Sequence, residues 1–143
     1  MFEFTTLINL SKAVLDWINA ISSKRKSVSE AEQAGLLALS VAVNETRIYL
    51  GSLYRLSEIP TGSKGEILGA GQRDFATETS LSRLWADASH RTRFYQREIS
   101  EICFMKADFW ASPELWGSQY GHRQILALER MNKAFRSYIV HRL

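Results

Sequence analysis

The chain has 143 residues, 45% hydrophobic and 11% aromatic, with 18 Lys/Arg against 15 Asp/Glu and a formal charge of +3. That length suits a single domain over residues 1–143 that buries roughly two-thirds of its unfolded surface, and the composition excludes a disordered chain. The longest charge-free stretch, residues 33–44, is too short to cross a bilayer and reads as a buried helical segment, so no membrane contact is expected.

Leu7, Leu10, Val14, Trp17, Ile18 and Ile21 recur at steps of three and four, which predicts an amphipathic helix over about residues 4–23. Lys24, Arg25 and Lys26 follow, where the negative end of the helix dipole favours cations. Ser29 and Glu32 form a capping-box pattern that opens a second helix, with Leu36, Leu39, Val43, Thr46, Leu50 and Leu53 as its seam, ending near Ser57. Gly35 and Gly51 interrupt it, either as tolerated weak points or as places where a neighbouring helix comes close.

Between Glu58 and Asp74 lie Pro60, Gly62, Gly65, Gly69 and Gly71, which predicts a long glycine-rich loop between helices two and three. Neither Gly62-Ser63-Lys64-Gly65 nor Gly69-Ala70-Gly71 has the spacing of a phosphate-binding motif. A third helix is predicted from Phe75 to Trp110, with Trp85, Ala88, Thr92, Tyr95, Ile99, Ile102, Lys106 and Phe109 in strict three-four alternation. Phe94 and Phe104 fall off that seam, so either this helix is buried on several sides or its outer face meets another chain.

Ser112, Pro113 and Glu114 mark a sharp corner. Ile125, Leu128, Asn132, Phe135, Ile139 and Arg142 then carry a fourth helix to the end. The fold expected is all-α, an antiparallel bundle of four main helices.

Cys103 is the only cysteine, so no intrachain disulfide is possible, and Met1-Phe2-Glu3-Phe4 does not resemble a secretory leader. A cytoplasmic location is the expectation. Inside an apolar run, Cys103 reads as inert packing. No metal or cofactor is expected: Asp87 and His90 form the nearest approach to a ligand pair, and one pair cannot fill a coordination shell.

Two noncatalytic readings remain. In the first, the chain is an adaptor, regulatory or accessory subunit that binds another protein or itself. Its aromatic anchors are Phe94 and Phe104 on helix three, and Trp110, Trp116 and Tyr120 at the following corner. In the second, the basic half binds RNA or DNA. Residues 72–143 hold eleven Lys/Arg against eight Asp/Glu, whereas residues 1–71 hold seven of each. Arg83, Arg91, Arg93 and Arg97 would contact phosphates, joined by Arg130, Lys133 and Arg136, against a field weakened by Glu98, Glu101 and Glu129.

A third reading is enzymatic. Arg136-Ser137-Tyr138-Ile139-Val140-His141 resembles the Arg-x4-6-His motif of HEPN-type ribonucleases, and Arg83 to His90 gives a second match. The resemblance implies metal-independent RNA cleavage, with Arg136 stabilising phosphate charge and His141 moving a proton. It covers six residues, and with twelve Arg and three His about one such match arises by composition alone.

Overall fold

A computed structural model of the chain describes residues 4–23, 29–57, 74–112 and 118–142, with side chains for 6–23, 29–52, 74–112 and 125–137. Among the described residues the protein is all-helical, with no strand. The described residues form five helices: α1 (Phe4–Ser22), α2 (Glu30–Ser57), α3 (Phe75–Thr92), α4 (Arg97–Ala111) and α5 (Ser118–Arg142). Each packs against its neighbours in the chain, and α5 returns to pack on α1 and more lightly on α4, so the helices surround one core.

The predicted seams supply that core. Leu7, Val14, Ile18 and Ile21 of α1 are buried, with Leu10 and Trp17 partly so; Leu36, Leu39, Val43 and Leu50 of α2 are buried, and α5 adds Leu128 and Phe135 together with Met131, which the predicted seam did not include. Hiding each such side chain from water contributes about 1.5–3 kcal/mol before the entropy of ordering it is subtracted. Ser29 caps α2, accepting at Oγ from the Glu32 amide at 3.2 Å. Asn132, predicted in the seam of the last helix, is half-buried. Its amide nitrogen donates to the Leu128 carbonyl at 2.9 Å and reaches the Leu10 carbonyl of α1 at 3.4 Å.

The predicted third helix is two helices. The chain turns at Arg93–Tyr95, where the amides of Tyr95 and Gln96 both donate to the Thr92 carbonyl, at 3.1 and 2.8 Å. No glycine or proline marks the break. Its cause is one of size: a single helix from Phe75 to Trp110 would be roughly 54 Å long at ~1.5 Å per residue. A compact chain of 143 residues has a radius of gyration of only about 14–15 Å. Folding back lets both halves bury the same seam, and Trp85, Ala88, Thr92, Ile99, Ile102, Lys106 and Phe109 are all buried, while Tyr95 at the turn stays 37% exposed.

Helices α2 and α3 run antiparallel. Tyr49 meets the start of α3, Thr46 meets Trp85, and Gly35 meets the end of α3. A Cβ on Gly35 would stand 3.0 Å from the Arg91 carbonyl oxygen and 3.3 Å from Thr92 Cγ2, so this glycine marks a close helix–helix approach. The predicted glycine-rich loop falls, up to residue 73, outside the described residues, as do residues 113–117 of the predicted corner.

Candidate interaction surface

The α3–α4 hairpin carries most of the residues singled out from sequence, and three serines set its register. Ser82 Oγ donates to the Ala107 carbonyl at 2.7 Å, and Ser89 Oγ to the Ser100 carbonyl at 2.8 Å. Ser100 Oγ returns a bond to the Ser89 carbonyl at 2.7 Å. Their small side chains let the two backbones approach, and each bond is worth about 1 kcal/mol. Position 82 is thereby level with 107, and 89 with 100.

The inner face of the hairpin is unusually polar. Trp85 Nε1 donates to Thr46 Oγ1 at 2.8 Å, and Thr46 passes its own proton to the Ala42 carbonyl at 2.7 Å. Tyr49 donates its hydroxyl to the buried Glu78 carboxylate at 2.5 Å and accepts from the Asp74 amide at 3.0 Å. Asp74 caps α3 through the Thr77 amide, and these bonds hold its carboxyl below the ordinary value. The Lys106 ammonium is 2% exposed and sits 5.4 Å from the centre of the Trp85 ring, a cation–π contact. Burial pushes this ammonium down to about 7, with Cys103 a smaller opposing influence. The buried Cys103 thiol is pushed up to about 12, chiefly by desolvation. A thiol held protonated is a poor nucleophile, which suits the packing role expected of it.

Trp110 belongs to this interior and not to the surface. It is 2% exposed, with its ring edge-on to Tyr49 at 5.6 Å and to Phe109 at 5.1 Å. As the last full turn of α4 packs against α2 and α3, the core claims the indole, and Trp110 is withdrawn from the set of partner anchors. Trp116 lies outside the described residues, and Tyr120 falls in α5 with its side chain outside them.

The outer face holds the other anchors. Phe104 is 67% exposed, Met105 48% and Phe94 76%, so intrachain packing does not account for either phenylalanine. Phe104 and Met105 stand on α4, whereas Phe94 stands in the turn. The register places exposed Ala86 of α3 beside Phe104, with Arg83 and His90 along α3 and Glu101 and Asp108 along α4.

The predicted arginine stripe is dispersed, and two of its four members, Arg91 and Arg97, have acidic partners. Arg91 pairs with Asp87 through Nε at 3.0 Å, Arg97 with Glu101 at 3.4 Å, and Arg130 with Glu98 at 3.4 Å. Arg93 lies over the Phe94 ring, 4.6 Å from its centre. Eight residues separate Arg83 from Arg91, which turns them roughly 80° apart around α3. Exposed pairs of this kind are worth only about 0–1 kcal/mol each, and each sets an acid beside its arginine.

For the enzymatic reading, Arg136 is exposed on α5 and the His141 side chain lies outside the described residues, while Arg83 and His90 are both exposed two turns apart on α3. Among the described residues no cluster of three or more His, Cys, Asp or Glu could hold a metal ion. None of the described helices is long and apolar enough to cross a membrane. A cleft bounded by Ile21, Leu36, Tyr95 and Phe135, with Glu32, Arg91 and Gln96 also on its lining, exposes mainly apolar atoms.

Comparison with known protein families, characterised proteins and solved structures finds no match to this chain. The residues that sequence reasoning passed over are Ala86 and Asp108. Their signal was available: both lie about half a turn away from the buried seam, where a small residue and an acid flank Phe104.

Proposed function

We propose that this protein is a non-enzymatic interaction module, an adaptor, regulatory or accessory subunit, that binds another protein or itself through the outer face of the α3–α4 hairpin. One observation carries the reading. Phe104 is 67% exposed on a helix whose other side is locked into the core. A phenylalanine held on a rigid helix loses little conformational freedom when captured and covers much apolar area, which is how interface anchors work. Phe94, with Arg93 stacked on it, extends the aromatic surface to the turn.

The ion pairs on Arg91, Arg97 and Arg130 favour a protein partner over a nucleic acid. The test compares what the wild-type chain and the Phe104→Ser and Phe94→Ser variants retain when immobilised. Loss of a bound protein on either substitution, with circular dichroism unchanged, is the expected result. If the chain instead retains RNA at low salt and releases it steeply as salt rises, the nucleic-acid reading replaces this one.

A further inference from the structure

We infer that the outer face of the hairpin is a self-recognition surface: two copies pair about a two-fold axis parallel to α3 and α4, seating Phe104 of each on Ala86 of the other. This rests on the interaction-module reading and names the partner for the same surface.

Charge is divided unevenly across the hairpin. On α3 the exposed charged residues and histidine are Arg83, His90 and the Asp87–Arg91 pair, and on α4 they are Asp108, the Arg97–Glu101 pair and Glu98, which pairs with Arg130, so the excess is basic on α3 and acidic on α4. Arg83 and Asp108 have no ion-pair partner among the described residues. A two-fold axis lying across the helices would set α3 on α3 and α4 on α4, opposing like charges, which selects against that arrangement. An axis along the helices sets α3 of one copy over α4 of the other, basic side on acidic side. Such a contact is isologous, so every pair is made twice.

The serine register then decides which residues meet. With 82 level with 107 and 89 level with 100, Arg83 of one copy comes beside Asp108 of the other, and His90 beside Glu101. Ala86 comes level with Phe104, a small residue opposite a large exposed one, the complementarity of a knob entering a hole. At the turn end Arg93 and Arg97 of opposite copies come level, and each already has an intrachain partner, the Phe94 ring and Glu101. The Arg83–Asp108 end therefore supplies the net attraction. Phe104 and Met105 of the two copies cover well under the ~800 Å² per partner of a stable complex, so the pairing is reversible and concentration-dependent.

Sedimentation equilibrium of the full chain over a wide micromolar range tests this. The wild type passes from monomer to dimer. Phe104→Ser removes the knob and Ala86→Trp fills the hole, and each weakens pairing by about tenfold or more. R83E and D108R each weaken it by placing like charges together. A one-to-one mixture of R83E with D108R restores it, because the mixed dimer regains two opposite-charge pairs. A chain that stays monomeric throughout overturns the proposal, as does a dimer indifferent to all four substitutions or a mixture that fails to recover. If the chain is monomeric and Phe104→Ser nevertheless abolishes capture of another protein, self-pairing fails while the module reading stands. If neither association nor capture responds to Phe104→Ser, the module reading falls with it.

Discussion

The two faces of the α3–α4 hairpin invert the usual placement of residue types. Inside, a lysine, a glutamate, a threonine hydroxyl and an indole N–H are buried; outside, a phenylalanine and a methionine stand in water. The inner groups are tolerated because contacts from other helices meet them: Thr46 for Trp85, Tyr49 for Glu78, and the Trp85 ring for Lys106. Among the described residues nothing comparable covers Phe104. Burial on this hairpin follows the supply of partners within the chain, and polarity by itself does not predict it.

Breaking the inner face has the largest expected effect. Trp85→Ala leaves a cavity under the hairpin and strips Thr46 of its donor, and should lose about 3–5 kcal/mol in urea denaturation. The contrast between the faces collapses if Phe104→Ala costs as much.

The pH dependence of stability comes next, and its sign follows from Lys106. Burial lowers the folded ammonium from 10.5 to about 7, so between these values the unfolded chain binds a proton that the folded one does not. Stability therefore rises with pH above about 7, by about 1.4 kcal/mol per pH unit at most. Cys103 acts oppositely. Its thiol is raised from 9.0 to about 12, so above pH 9 the unfolded chain loses a proton that the folded one keeps. The rise should run from pH 7 to 9 and then level off. Lys106→Met should abolish it, and Cys103→Ala should extend it beyond pH 9; denaturant titrations at half-unit intervals decide both.

A smaller loss, about 1–3 kcal/mol, is expected for Tyr49→Phe, which takes one donor from the buried Glu78 carboxylate. Double-mutant cycles pairing it with Glu78→Gln would sharpen the point, since coupling near zero would show that the hydroxyl and carboxylate act independently. The smallest stability effect belongs to the outer face. Phe104→Ser should shift folding by no more than about 0.5 kcal/mol while changing association strongly, a split that a merely structural residue would not produce.

Local spacing along the chain carries much of the fold but not the pairing of its segments. The three-four spacing that placed Trp85 and Phe109 in one seam held although the helix between them is broken, because each half keeps the same side turned inward. The break at Arg93–Tyr95 was illegible: it contains no helix breaker, and its cause is the limited span of a compact chain. The spaced Ser82 and Ser89 were its faint trace, small hydroxyls off the seam where a returning helix packs. At the candidate site, Phe94 and Phe104 could be singled out from their positions off the seam, whereas Trp110, chosen as part of the aromatic corner, is buried. The difference is that Tyr49 and Phe109 close over the indole, and no rule of spacing connects Tyr49 to Trp110.

By itself the sequence determined the helical class and the inward side of each helix, because both follow from the 3.6-residue period of a backbone that satisfies its own hydrogen bonds. The tertiary structure alone decided where the chain folds back, which polar groups find partners inside, and which aromatic side chains are left uncovered. Those outcomes depend on residues distant in sequence meeting at a few ångströms, and a local pattern carries no record of such meetings.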